Sequence, residues 1–325
     1  MERRTLLEAI NEALRLAMAA DDRVILLGED IGQEGGVFRV TEGLQQLYGR
    51  ERVMDTPLTE SGLVGMAIGM AIAGMCPVVE IQFMAFLYPA LDQIMNHLGR
   101  MRNRTRGRFT CPLVIRTPYG GGIHPPEHHS ESCEAVLVHT PGIQVVVPAT
   151  PYDAKGLLLS AIQSPDPVVF MEPSRIYRAV RQEIPETLYT VPLGEARVVQ
   201  EGTDVSIIAW GSMLHEVQQA AASLRETAVS VEIIDLRTLS PMDVAAIITS
   251  VAKTGRAVVV HEAPRTLGFG AEIIARLNEE ALLSLEAPIR RVTGYDVPYP
   301  LYRRETAYLP NEERILQAIT ETMQF

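Results

Sequence analysis

Short aliphatic and β-branched runs alternate with segments of helical periodicity along nearly the whole chain, and few architectures accommodate that alternation. Strand-like runs fall at residues 24–27, 53–55, 78–81, 113–116, 145–147 and 168–171, and again at 205–209, 231–234 and 257–260. Between them apolar positions recur at helical spacing over 6–19, 62–73, 87–101 and 152–162, then over 214–225, 242–252, 271–285 and 311–323. Strands that are apolar throughout are buried on both faces. The pattern therefore predicts an α/β fold whose parallel sheets are covered by helices on both sides. Thr150-Pro151-Tyr152-Asp153 supplies an N-cap, a proline at the first helical position and an acid in the first turn, and Ser240-Pro241-Met242-Asp243 repeats that pattern.

A chain of 325 residues is long enough for two domains. After Arg181 the sequence turns polar and carries Pro185 and Pro192, which places a first domain at 1–185, a linker at 186–192 and a second domain at 193–325. Lys+Arg 29 against Asp+Glu 40 leaves a net charge of −11. That balance argues against nucleic-acid and membrane-surface partners, both of which require a basic face. Cys76, Cys111 and Cys133 form no CxxC pair, as expected of a chain in a reducing cytoplasm. Residues 61–79 hold no charge and reach the length of a membrane span, but Gly74 and Pro77 divide them into a short helix and a strand. Gly62, Gly65, Gly69 and Ala73 give that helix a smooth face suited to burial in a large interface.

Three segments carry chemistry. Glu60 closes the run Asp55-Thr-Pro-Leu-Thr-Glu60, where a strand has ended and the uncharged helix begins. An acid is favoured at any helix N-terminus, but one screened from water needs a hydrogen-bond partner, and a ligand donor is one candidate. Gln82 and Phe86 follow a strand end, the edge at which open α/β sheets bind ligands. An amide and an aromatic ring there suit either core packing or a flat heterocycle. The third segment runs from Tyr119 through Gly120-Gly121-Gly122, His124, Glu127, His128, His129 and Glu131 to Ser132, and holds three of the 7 histidines. Its glycines and prolines exclude regular structure. It reads as a surface loop, a metal site or a general acid/base loop, although its spacing matches no zinc motif such as HExxH. Gly268-Phe269-Gly270 lacks the third glycine of a dinucleotide fingerprint.

Taken in order, Leu27-Gly-Glu-Asp-Ile-Gly32, Asp55-Thr-Pro-Leu-Thr-Glu60, Glu80-Ile-Gln-Phe83, His128-His-Ser-Glu-Ser132, Asp166-Pro-Val-Val-Phe-Met-Glu172, His261-Glu-Ala-Pro-Arg265 and Val292-Thr-Gly-Tyr-Asp296 carry a family resemblance. The chain resembles the beta subunits of the thiamine-diphosphate-dependent 2-oxo acid dehydrogenases, the decarboxylating components of the pyruvate, branched-chain 2-oxo acid and acetoin dehydrogenase complexes. The resemblance implies a transketolase-like fold, in which a thiamine-diphosphate pyrimidine-binding domain precedes a transketolase C-terminal-type domain. It implies an α2β2 heterotetramer, active only with its alpha subunit. That partner holds the diphosphate and its magnesium through a GDG motif that this chain lacks.

By the same resemblance, Glu60 hydrogen-bonds the ring nitrogen of the aminopyrimidine, which favours its reactive imino tautomer. Phe86 packs on the pyrimidine, Gln82 is a polar neighbour, and Glu29 is an acid of the cofactor pocket near the subunit interface. His129 serves reductive acylation of the lipoyl group, which is carried by a domain of the dihydrolipoyl acyltransferase core. Potassium is expected on backbone oxygens near Leu113, Ala161, Ser164 and Asp166. Glu131 stands where many relatives have glutamine, and Phe86, where branched-chain enzymes often have tyrosine, leans toward pyruvate or acetoin, against an overall look of the bacterial or archaeal branched-chain type. The competing readings are an acetoin dehydrogenase beta subunit and a metal-dependent hydrolase or lyase built on the loop from His124 to Glu131.

Overall fold

The computed structural model describes residues 2–227 and 229–325. The chain divides into two compact units, one running to Tyr119 and including Val136–Leu193, the other made of Gly120–Ala135 and Gly194–Phe325. The strands of the first unit are β1 (Glu2–Thr5), β2 (Val24–Gly28), β3 (Val53–Asp55), β4 (Cys76–Glu80), β5 (Val114–Tyr119), β6 (Gln144–Val146), β7 (Val168–Pro173) and β8 (Arg181–Ile184). Its helices are α1 (Leu6–Ala20), α2 (Leu44–Tyr48), α3 (Glu60–Ile72), α4 (Met101–Arg104), α5 (Glu134–Val138), where the chain returns from the second unit, and α6 (Pro151–Gln163). Six strands lie side by side in the order β6-β7-β5-β4-β2-β3, and every neighbouring pair is parallel. β1 and β8 form a separate antiparallel pair.

From β2 the chain moves outward to β3, then returns through α3 to β4 on the opposite flank of β2. The strand order therefore reverses between β2 and β4. The crevice beyond the carboxyl ends of such a pair is where an open sheet takes a ligand.

Helix α1 starts at a capping box, in which Glu8 N–H donates to Thr5 Oγ1 at 3.2 Å and Thr5 N–H donates to Glu8 Oε2 at 2.7 Å. Between α1 and α6, Lys155 is fully buried with its Nζ 3.2 Å from Glu12 and 2.5 Å from the Pro185 carbonyl. Burial pulls the Lys155 ammonium below the usual lysine range, and Glu12 opposes that pull. The segment 186–192 packs against α6: Val191 N–H donates to the Gly156 carbonyl at 3.1 Å, and Tyr189 stacks on Tyr152 at 4.6 Å. A Cβ on Gly156 would come within 2.9 Å of Tyr189, so glycine allows this close approach.

Three expected helices differ in the structure, of which the one expected over 271–285 ends at Glu280 and gives way to a 3₁₀ turn at Leu282–Ser284. Over 87–101 there is no single α-helix, but a 3₁₀ stretch at Met84–Ala90, π turns at Gln93–Leu98 and then α4. Pro89 lies inside the first of these and removes a donor from any α ladder. The helix expected to start at residue 242 begins two residues later. Asp243, whose carboxylate accepts Ala246 N–H at 3.0 Å, caps it in place of Ser240. Helix α3 buries Leu63, Val64, Ala67, Ile68 and Ala71, while Gly62, Met66 and Gly69 are exposed. Within the chain the uncharged helix is thus covered on one side only. No helix among the described residues is long and apolar enough to cross a membrane.

The second unit contains β9 (Arg197–Gln200), β10 (Val205–Ala209), α7 (Met213–Ser223), β11 (Val231–Asp235), β12 (Thr238–Ser240), α8 (Val244–Thr254), β13 (Ala257–Pro264), α9 (Gly270–Glu280), β14 (Arg290–Gly294), α10 (Tyr302–Tyr308) and α11 (Glu312–Met323). Its sheet runs β14-β13-β10-β11-β9, parallel except for β9 at the edge. Here the order reverses between β10 and β13.

At the centre of the first sheet, Arg116 of β5 reaches Glu80 of β4 at 2.9 Å and Glu172 of β7 at 2.7 Å. Tyr177 Oη donates to Glu172 at 2.5 Å. Burial lifts the Glu80 carboxyl above the usual range even with Arg116 beside it, and the two acids keep Arg116 charged against burial. Replacing Arg116 by Met strands both carboxylates in the interior. Equilibrium urea denaturation is expected to show a loss of roughly 3–5 kcal/mol. The same measurement on Arg276→Ala, which removes the exposed pairs to Glu279 and Glu280, should barely move the midpoint.

Candidate active site

The crevice between β2 and β4 gathers four of the residues singled out in the sequence. Glu29 directly follows β2, Glu60 opens α3 after β3, Gln82 lies two residues beyond β4, and Phe86 sits in the 3₁₀ stretch that follows. Gln82 Nε2 donates to the Glu29 carbonyl over a long 3.5 Å. The Phe86 ring meets Phe83 edge-on at 5.5 Å, Phe83 meets Phe38 at 5.5 Å, and Phe38 meets Tyr177 at 5.2 Å. An aromatic ladder therefore runs from the crevice down to the buried Glu172.

Glu29 is 8% exposed, and its Oε1 is buried without a hydrogen-bond partner. Burial first, then the charges of Glu60 and Asp30, hold its carboxyl above the usual range against the Thr59 amide. Glu60 itself is half-buried. The loop after Glu29 is fixed by Gly32 N–H, which donates to Asp55 at 2.6 Å, and it crosses Glu80 at Gly36. That glycine has φ +82°, and a Cβ on it would sit 3.1 Å from Glu80 Oε1. Two acids, one with an oxygen that lacks a donor, suit a flat nitrogen heterocycle that offers N–H groups.

The second unit presents the corresponding crevice between β10 and β13, and the chain's own loop is attached there. Trp210 and Ser212 follow β10, while His261 and Glu262 lie near the end of β13. Glu262 Oε1 accepts Gly121 N–H at 3.2 Å and Ser132 Oγ–H at 2.9 Å, and its Oε2 accepts Ser212 Oγ–H at 3.1 Å. From α10, Glu305 Oε1 accepts Gly122 N–H at 2.6 Å and Tyr299 Oη–H at 2.8 Å, and its Oε2 pairs with His124 Nδ1. A Cβ on Gly120 would overlap the Glu262 carboxylate, and one on Gly121 would overlap the Tyr299 hydroxyl. The glycine run is thus what lets the backbone lie on these groups. Further along, His129 is half-buried with Nδ1 2.8 Å from the Glu127 carbonyl. A carbonyl only accepts, so Nδ1 carries the hydrogen of this bond.

His124 and His128 are exposed, and both take left-handed backbone with φ +55° and +69°. Among the described residues no three His, Cys, Asp or Glu side chains come together to hold a metal, so the metal-dependent reading of the loop from His124 to Glu131 lacks its ligand set. Gly268 and Gly270 make room for the His261 imidazole, since a Cβ on either would come within 2.6 or 2.9 Å of that ring. His261 stacks on Trp210 at 5.3 Å, and burial pushes its pKa down to about 3, so it is neutral. At the expected potassium positions, the Leu113 carbonyl accepts Val168 N–H at 3.0 Å and the Ala161 carbonyl accepts Ser164 N–H at 3.2 Å. Ser164 Oγ–H donates to the Asp166 carbonyl at 2.8 Å, and the Asp166 carboxylate pairs with Arg102 at 2.6 Å.

Comparison with known proteins matches the transketolase pyrimidine-binding domain over residues 3–180 and the transketolase C-terminal domain over residues 194–315. The chain is 49% identical to the pyruvate dehydrogenase E1 component subunit beta of Bacillus subtilis (strain 168), over 100% of both chains. It is 53% identical to the protein of that name from Acholeplasma laidlawii, over 96% of this chain and 95% of the other. The chain belongs to the pyruvate dehydrogenase E1 beta-subunit family. A solved structure titled as a split-gene transketolase, an inactive beta4 tetramer, shares the fold, with a TM-score of 0.80, 98% coverage of each chain and 21% identity.

Against the family's sequence blocks, the residues that sequence reasoning missed are acids meeting partners far along the chain. Glu262 lies within one such block, yet nothing local in it announces a contact with Gly121, 141 positions away. Glu305 lies outside the blocks altogether. Glu134, at the exit of the loop, is wholly buried and makes no well-formed hydrogen bond. Burial raises its pKa from 4.5 to about 7, its own backbone amide and the Trp210 indole opposing and the Glu262 charge adding. Between those two values the folded chain holds a proton that the unfolded chain has released, so stability falls as pH rises through that window. Glu134→Gln removes the effect. Denaturation at pH 5 and pH 8 should show the variant gaining on the wild type by on the order of 3 kcal/mol at the higher pH.

Proposed function

We propose that the chain is the beta subunit of a 2-oxo acid dehydrogenase and that, together with an alpha subunit, it oxidatively decarboxylates pyruvate and passes the acyl group to a lipoyl domain. The observation that carries this reading is the buried Glu29, with Oε1 lacking a donor, next to the charge of Glu60 and bonded through its carbonyl to Gln82. An aminopyrimidine offers the missing N–H groups. The name shared by relatives of 49% and 53% identity favours pyruvate over acetoin or a branched-chain acid.

Thiamine diphosphate, when bound, supplies a nucleophilic carbon for the 2-oxo carbonyl and a sink for the electrons left by departing carbon dioxide. This chain's part is to hold its pyrimidine end. Glu60 keeps a proton at the ring nitrogen, Phe86 gives the ring a face to pack on, and Gln82 and Glu29 fix the amino side. The alpha subunit, in an α2β2 assembly, holds the diphosphate and its magnesium. His129 Nε2 handles the proton of the lipoyl thiol during acyl transfer, and the lipoyl domain comes from the dihydrolipoyl acyltransferase core that the assembly docks to in the cytoplasm. Potassium is proposed on the carbonyls near Leu113, Ala161, Ser164 and Asp166, since an oxygen that already accepts one hydrogen bond keeps a second lone pair. The working domain division is 1–185 and 193–325, joined by 186–192.

Mixing the purified chain with an alpha subunit of the family, thiamine diphosphate and magnesium should yield pyruvate decarboxylation that neither subunit shows alone. Decarboxylation by the isolated chain would overturn the reading. Glu60→Gln should assemble normally by size-exclusion chromatography yet lose about 10²- to 10⁴-fold in turnover, the span of a general acid/base contribution.

A further inference from the structure

The loop between Gly120 and Ser132 is fastened where the second sheet reverses its strand order, the place at which such a sheet would take a ligand. Two nearly buried carboxylates fasten it. Glu262, 4% exposed, receives Gly121 N–H and Ser132 Oγ–H on one oxygen and so pins the two ends of the loop to a single atom, while its other oxygen is tied to Ser212. Glu305, 1% exposed, takes Gly122 N–H and Tyr299 Oη–H on one oxygen, and its other oxygen lies against His124 Nδ1 as an ion-pair contact. A charged group out of water needs its donors, and here most of them come from the loop. The loop cannot lift without leaving these acids buried and short of donors. The pinned residues lie on both sides of His129, whose own imidazole is oriented by the Glu127 carbonyl within the same loop.

We propose that Glu262 and Glu305 are positioning residues for His129: they clamp the loop at its base and along its first limb, and thereby set where Nε2 stands when the acyl group is transferred. This rests on the reading of His129 as the acyl-transfer histidine, and the test separates the two. The holoenzyme, reconstituted with its alpha subunit, thiamine diphosphate and magnesium, is assayed twice. One assay follows pyruvate decarboxylation with ferricyanide as electron acceptor, and the other follows reductive acylation of an isolated lipoyl domain.

Glu305→Gln should cut lipoyl-domain acylation about 10- to 100-fold, the cost of a misplaced catalytic group, and leave ferricyanide-linked turnover within about twofold. Glu305→Asp should recover part of the loss. In a His129→Ala background, Glu305→Gln should cost no more than about twofold further in acylation, because its effect runs through His129. Equal losses in both assays, or a full additional loss in that background, would reduce Glu305 to a structural role and overturn the inference. Acylation left intact by His129→Ala alone would overturn the reading of His129 itself, and with it what the clamp is for. Should Glu305→Gln fail to assemble, His124→Ala tests the same latch from a side chain that is 48% exposed, with an expected acylation loss of about 3- to 10-fold.

Discussion

Arg116 reaches Glu80 on one neighbouring strand and Glu172 on the other, and it is the cation that lets β4, β5 and β7 bring two carboxylates into one interior. Either acid alone in the centre of a parallel sheet would have to take up a proton or force the strands apart. The same demand recurs elsewhere. Lys155 and Glu12 neutralise each other between α1 and α6, and Glu262 and Glu305 take most of their donors from the loop they hold. Fold and function in this chain meet in the question of what each buried carboxylate is given.

Two acids stand apart because their needs are not met within the chain. Glu29 keeps an oxygen without a donor at the crevice of the first sheet, and Glu134 is shut away without a well-formed hydrogen bond and with the charge of Glu262 against it. The first is placed where a ligand can complete it. The second is completed by a proton, and near pH 7 that makes it a source of pH-dependent stability at the exit of the histidine loop. Burial is common to both, and what separates them is whether the missing partner can come from outside.

Much of this was readable in advance wherever cause and effect are close in sequence. The apolar runs became strands because a strand buried on both faces needs no alternation, and Thr150 caps α6 through Asp153 N–H at 3.1 Å because the motif is complete within four residues. Glu60, Gln82 and Phe86 were picked out because each lies within a few residues of a strand's carboxyl end, in the segments that follow β3 and β4. The helix expected over 87–101 broke up because Pro89 outweighs a favourable apolar spacing. The one-sided exposure of α3 was invisible, since a helix without charges carries no pattern to mark its outer face. Nor could the partners of Glu305 be foreseen: Gly122 is 183 positions away, and that pairing exists only because residues 120–135 fold into the second unit.

The loop's attachment has a bearing on how such chains can be recombined. By sequence the segment 120–135 sits inside the first half, yet it belongs to the second unit. A hybrid joined at residue 193 from two relatives would set one parent's glycines and histidines on the other parent's acids. Compatibility between halves would then hinge on positions 121, 122 and 124 matching 262 and 305, rather than on the junction itself.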